Sequence, residues 1–176
     1  ILTLLARQQP LPVAALQLLL SQGASMAADS ELDSVLTLLS GAAHDYAGLS
    51  APQNVPSPAL LDQVFGRCNA AMLLHPDASR RHALSWACEF ADAALIQRLL
   101  SAMTNLLRAE QSGVLLNSHD ADGQTALLLL LRRIDLQEQD RLALAQALIQ
   151  AGADPNFIGQ DNDRLVVMLK VSHCTP

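Results

Sequence analysis

The sequence predicts an all-α chain built as a solenoid of stacked helix pairs. Three observations carry that prediction. The chain is 51% hydrophobic but only 3% aromatic, a composition dominated by Leu and Ala that fits thin helix-on-helix layers. Its commonest residues are good helix formers and its β-branched content is low. Segments with helical apolar spacing recur, separated by Gly, Pro and Asp turns.

In chain order, 13–22 reads as a second helix closed by Gly23-Ala24-Ser25. Residues 34–40 read as a first helix ending at Gly41, and 58–74 as its partner. Between them, 42–57 is a long loop rich in Ala, Gly, Ser and Pro that carries the single tyrosine, Tyr46. A third unit opens at Asp77-Ala78-Ser79-Arg80-Arg81 and continues through His82-Ala83-Leu84-Ser85-Trp86-Ala87-Cys88. It bends at Ala91-Asp92 and enters a second helix at Leu95 that runs past Leu100 to Leu107.

The fourth unit is the clearest. It starts Asn117-Ser118-His119-Asp120-Ala121-Asp122-Gly123-Gln124-Thr125 and closes Ala151-Gly152-Ala153-Asp154-Pro155-Asn156. Asp122-Gly123 supplies a tight turn and Thr125 a helix cap. Gly152 suits a left-handed helix stop, and Pro155 keeps the helix from continuing. Leu142, Ala145 and Ile149 share one face of the second helix. Residues 163–171 make a last, partial unit.

These motifs resemble the ankyrin repeat, with its Asp-x-x-Gly-x-Thr opening and Gly-Ala-Asp-x-Asn closing loop. The resemblance implies an ankyrin-type solenoid of about four units, approximately 1–29, 30–76, 77–116 and 117–156, with a partial cap at 157–172. The pattern is worn. The family's Thr-Pro-Leu-His tetrad has become His82-Ala83-Leu84-Ser85 and Thr125-Ala126-Leu127-Leu128, which puts its polar network between repeats in doubt. Asn117 and Asn156 stand 39 residues apart, against a family period of about 33. The excess falls around 133–138.

The resemblance implies a protein-recognition module that meets its partner through the concave face and hairpin tips. Carried over by position, the contact residues are Ser79, Arg81, Glu89 and Phe90 in the third unit. In the fourth they are Ala121, Asp122, Gln124, Arg132 and Arg133, and the tips add Ser118, His119, Phe157 and Ile158. Trp86, the single tryptophan, is read either as core or as an anchor on the concave face. The Arg pair at 132–133 either caps its helix or clamps partner carboxylates.

Charge and chemistry exclude other classes. Eleven basic residues against 17 acidic ones give a net charge of −6, so no nucleic-acid partner is expected. The longest apolar run, Ala126 to Leu131, is too short for a membrane span. Cys68, Cys88 and Cys174 form no motif, which points to a reducing, cytosolic compartment. The five histidines and the Asp161-Asn162-Asp163 run lack metal-site spacing, so no metal is expected. No nucleophile, phosphate-loop or dinucleotide motif occurs; no cofactor, small-molecule substrate or catalytic residue is assigned. The alternatives are a purely structural solenoid, or an enzyme fragment with its site in the 42–57 loop.

The chain begins at Ile1 rather than Met and reads as part of a longer protein. Ten of its eleven basic residues are Arg, Lys170 being the exception. With the worn repeats, this bias resembles the recognition domain of a bacterial secreted effector, a virulence factor working in a host cytosol. One such family, the ADP-riboxanases, holds host caspases through an ankyrin domain, which would make a host caspase the partner.

Overall fold

A computed structural model describes residues 13–23 and 58–156, and every regular element among them is an α-helix. In chain order these are α1 (Val13–Ser21), α2 (Pro58–Phe65), α3 (Ala70–Leu74), α4 (Ala83–Phe90), α5 (Ala93–Leu106), α6 (Ala109–Leu116), α7 (Ala126–Leu131) and α8 (Glu138–Gln150). The all-α prediction holds. The expectations for 34–40, the 42–57 loop, Phe157, Ile158 and the 163–171 cap lie outside the described residues.

Two helix pairs set the architecture. α4 lies beside α7, α5 lies beside α8, and each pair closes on itself, α4 with α5 and α7 with α8. First helices thus form one layer and second helices another, as a repeat stack requires. The same displacement along the chain carries Asp77 to Asp120, Arg80 to Gly123 and His82 to Thr125. Each aspartate builds the turn before its first helix, Arg80 and Gly123 are both left-handed at φ 61° and 73°, and His82 and Thr125 are both N-caps. The segments around Leu84 and Leu127 are therefore related by translation.

Leucine fills the space between the layers. α7 is six residues of Ala and Leu, and Ala126 through Leu130 are all buried. A helix apolar all round must be covered on every side. Across from it, Ala87 and Cys88 of α4 are both fully buried, and their small size lets the two first helices approach. Burial pushes the Cys88 thiol up to about 12, so it behaves as a core side chain. α5 contributes Leu95, Ile96, Leu99, Leu100 and Met103.

In α8 the buried stripe is Leu144, Ala145 and Leu148. The face expected at Leu142, Ala145 and Ile149 is thus correct only at Ala145, and the other two are half-buried. α8 packs against α5 and α7 together, and that double contact centres the stripe on Leu144 and Leu148.

The second helices of the second and third units are each followed by an added short helix. The single helix expected over 58–74 is in fact two. α2 ends in tightened turns, with Arg67 N–H donating to Val64 O at 3.1 Å and Cys68 N–H to Phe65 O at 3.2 Å. Asn69 then caps α3 by accepting from Met72 N–H at 3.0 Å, the usual way a polar side chain starts a helix. α5 runs to Leu106, close to expectation. α6 was not foreseen, and it begins where the Gln111 side chain accepts from Arg108 N–H at 3.1 Å. α3 and α6 stand before equivalent aspartate turns and lengthen both units.

Leu130, with no exposed surface, tests the leucine layer. Leu130→Ala is expected to lower unfolding stability by about 2–5 kcal/mol. Val114→Ala, at a side chain 72% exposed, should change it by less than about 0.5 kcal/mol. Urea denaturation of both variants checks the contrast.

Candidate functional site

The hairpin tips are shaped by aspartate. Asp77 Oδ1 accepts from Ser79 N–H and Arg81 N–H, both at 2.8 Å. Asp120 Oδ1 accepts from Asp122 N–H at 3.0 Å and Gln124 N–H at 2.8 Å. Each turn closes with a backbone bond, Asp77 N–H to Arg81 O and Asp120 N–H to Gln124 O. Such side-chain-to-backbone bonding is why Asp marks turns. Gly123 takes the left-handed position freely, whereas Arg80 holds it with a side chain, a cost of about 1 kcal/mol. The two tips meet where Ala121 N–H donates to Ser79 O at 3.0 Å.

Beneath this contact Arg81 ties the units together. Its Nε donates to Asp120 Oδ2 at 2.8 Å, its Nη1 to Glu89 Oε2 at 2.6 Å, and its Nη2 lies 3.9 Å from Asp122 Oδ2. The Arg81 side chain is 13% exposed and that of Asp120 1%, so the pair is a buried one. The guanidinium also sits 4.8 Å from the Trp86 ring centroid, a distance that favours cation–π attraction. Trp86 Nε1 donates to Asp77 Oδ2 at 2.6 Å. Phe90, one turn further along α4, places its ring 5.7 Å from that of Trp86.

The sequence-predicted contact positions do not all come together. Ser79, Ser118, His119, Ala121 and Asp122 gather at the paired tips with Arg81. Glu89 and Phe90 join them along α4 as half-buried side chains. Gln124 is buried at 4% exposure, with Oε1 enclosed. Arg132 and Arg133 lie at the other end of α7, and Phe157 and Ile158 are outside the described residues.

Arg132 is exposed at the helix end. Arg133 is 8% exposed and works inside the chain. Its guanidinium donates to the carbonyl of Ala91, in the equivalent bend of the preceding unit, and to both Asp135 oxygens. Arg141 in turn donates to the Arg133 carbonyl. The hydrogen bonds to Arg133 hold the Asp135 carboxyl below its ordinary 3.8. The bend at 132–137 is the insertion foreseen near 133–138, and it is braced by these two arginines.

Three residues escaped the sequence reading. Asp77 offered the same signal as Asp120, an aspartate three residues before a left-handed position, but Arg80 stands where a glycine would have announced it. His82 reads in the sequence only as a drifted tetrad residue, yet its Nδ1 lies 3.1 Å from Ser118 Oγ across the seam. No sequence signal marks the Ala91 carbonyl. Elsewhere, Arg98 pairs with Asp62 at 2.6 Å and sits 5.9 Å from the Phe65 ring centroid, joining α5 to α2. Among the described residues no group of three His, Cys, Asp or Glu side chains could hold a metal ion, and no helix is long and apolar enough to cross a membrane.

The structure is similar to the crystal structure of an ankyrin repeat domain from Acinetobacter baumannii AYE. The TM-score is 0.59 at 21% identity, over 90% of this chain and 68% of that one. The protein has the ankyrin-repeat fold. No protein-family model matches the sequence, and no curated protein matches it. Across the third and fourth units, side chains join Arg81 to Asp120, His82 to Ser118 and Arg133 to the Ala91 carbonyl.

Removing Arg81 leaves the Asp120 carboxylate buried without its counter-charge. Arg81→Met is expected to lower stability by about 3–5 kcal/mol, whereas Asp122→Asn, at a side chain 79% exposed, should stay within about 0.5 kcal/mol. Chemical denaturation of both checks the pair. Asp135 supplies a pH test: its depressed carboxyl contributes stability above 3.8 that disappears as pH falls through the folded value. The stability advantage of the native chain over Asp135→Asn should therefore shrink between about pH 5 and pH 3, measured by thermal melts across that range.

Proposed function

We propose that this chain recognises another protein, holding it against the half-buried Trp86 and Phe90 rings of α4 and against the paired hairpin tips, as part of a larger protein. The observation that carries the reading is the continuity of that surface. Exposed Ser79, Arg80, His119, Ala121 and Asp122 lie side by side across two units, next to the half-buried Trp86 and Phe90 rings. Aromatic side chains beside polar, hydrogen-bonding tips are the composition expected of a contact patch. Ankyrin folds serve widely as protein-interaction modules, and stacked repeats present extended surfaces of this kind. Arg81, Gln124 and Arg133 then support the surface from within, while Ser79, Phe90, His119, Asp122 and Arg132 face a partner. Phe157 and Ile158 extend the row of tips by sequence position.

The narrower reading is the substrate-recognition domain of a bacterial effector that holds a host caspase. Its support is the Arg-for-Lys bias and the sequence resemblance described above. A structural solenoid without a partner is the competing reading, and it predicts that the tips are indifferent to substitution.

The immobilised chain is expected to retain one or a few proteins from host-cell lysate. A Ser79→Glu, Asp122→Arg double variant should lose at least about tenfold of that capture, the effect of roughly 1.4 kcal/mol of contact energy, with its melting temperature unchanged. Equal retention by both chains would remove the tips from the interface. Purified caspases form a separate arm: failure to bind any of them ends the caspase reading and leaves the general one in place.

A further inference from the structure

Arg80 has a backbone conformation that opposes its identity. It holds the left-handed region at φ 61°, where the equivalent position in the fourth unit is Gly123 at 73°. A residue with a Cβ is strained there and glycine is not. Little inside the fold offsets that strain. The residue is exposed, and among the described residues its side chain makes one polar contact, Nη2 to His119 Nε2 at 3.2 Å. The carboxylates around it are engaged elsewhere. Arg81 binds Glu89 and Asp120 and lies 3.9 Å from Asp122, while Asp77 holds its own turn and Trp86. A strained residue with no structural reason for its side chain points to work outside the fold.

The chemistry of that work follows from the guanidinium. It is a planar fork of N–H donors with no acceptor. His119 engages one donor and steadies the group at the rim, which reduces the freedom lost on binding. The remaining donors match an oxyanion by paired, charge-assisted bonds. Local charge decides which oxyanion. The carboxylates of Asp77, Glu89, Asp120 and Asp122 outnumber the guanidiniums of Arg80 and Arg81 at the paired tips. That field tolerates the single charge of a carboxylate better than the nearly doubled charge of a phosphate. Asp122, with its side chain 79% exposed on the adjoining tip, also repels a run of acidic residues. The occupant that fits carries one acidic side chain.

We propose that Arg80 selects the partner, binding a lone Asp or Glu side chain on a protein segment that lies across the paired tips. The assignment rests on the proposed function and gives its partner a chemical signature. It also separates the adjacent arginines by role: Arg81 serves the fold, and Arg80 serves the partner.

The test selects random peptides displayed on phage against the immobilised full chain. The native chain is expected to enrich peptides that share an Asp or Glu at one position. Arg80→Gly takes the same backbone without strain, so it should melt no lower than the native chain. It should nevertheless bind the selected peptides, synthesised and measured in solution, at least about tenfold more weakly. Arg80→Glu should select Lys or Arg at that same position, a reversal that a purely structural arginine would not produce. Phosphoserine in place of the acidic residue should bind no more tightly than the original peptide. Four results overturn the assignment and leave the recognition reading in place: selected peptides without a shared acid, an acid preference that persists in Arg80→Glu, tighter binding of the phosphoserine peptide, or an Arg80→Gly chain melting more than about 4 °C below the native one. Enrichment of no peptide by the native chain overturns both.

Discussion

α7 dictates the architecture because it cannot exist by itself in water. Six residues of Ala and Leu have no polar face, and a helix this short is far below the length at which local hydrogen bonding sustains it. It persists because α4 lies along one side of it and α8 along another. The stack is therefore cooperative at its centre. Neither the third unit nor the fourth buries its leucines without its neighbour, and the small side chains Ala87 and Cys88 set how close that neighbour comes.

Apolar layers alone do not fix register, since leucine packs acceptably against leucine at more than one offset. The polar contacts at the edges restrict the choice. Arg81 reaches one unit forward to a carboxylate that also shapes the next turn, so the same Asp120 closes its hairpin and receives the preceding unit. Arg133 reaches one unit back to the Ala91 carbonyl. With one strut pointing each way, at opposite ends of the first helices, a slip of one unit against the other would strand buried charges. Buried pairs of this kind are strong determinants of geometry even where their net stabilisation is small.

This division of labour explains the placement of the surface. Side chains that face the seam are bound by their neighbours, and those one position away remain at the tips. Arg80 and Arg81 are adjacent in sequence, yet one lies exposed at the rim and the other is nearly enclosed. Asp120 and Asp122 divide in the same way. The turn geometry makes the division, because the aspartate that accepts two backbone N–H groups must point inward.

By itself the sequence determined the helical class, the repeat character and the positions of the turns. Asp-x-x-Gly-x-Thr, Gly152 and the leucine spacing act through local backbone chemistry, which is written in consecutive residues. It also located the insertion near 133–138. What only the tertiary structure decided is which polar residues face inward. Arg81, Gln124 and Arg133 read as contact positions because repeat position says where a residue sits on its helix or turn. It does not say whether a carboxylate or carbonyl from the next unit lies within reach. For Arg81 and Arg133 those partners, Asp120 and the Ala91 carbonyl, are about forty residues away in sequence, and Coulomb attraction and hydrogen bonding depend on distance in space. The breaks before α3 and α6 are instead local, with Asn69 capping one helix and Gln111 reaching back to Arg108 N–H at the other, and the apolar spacing that runs through both segments masks them in the sequence.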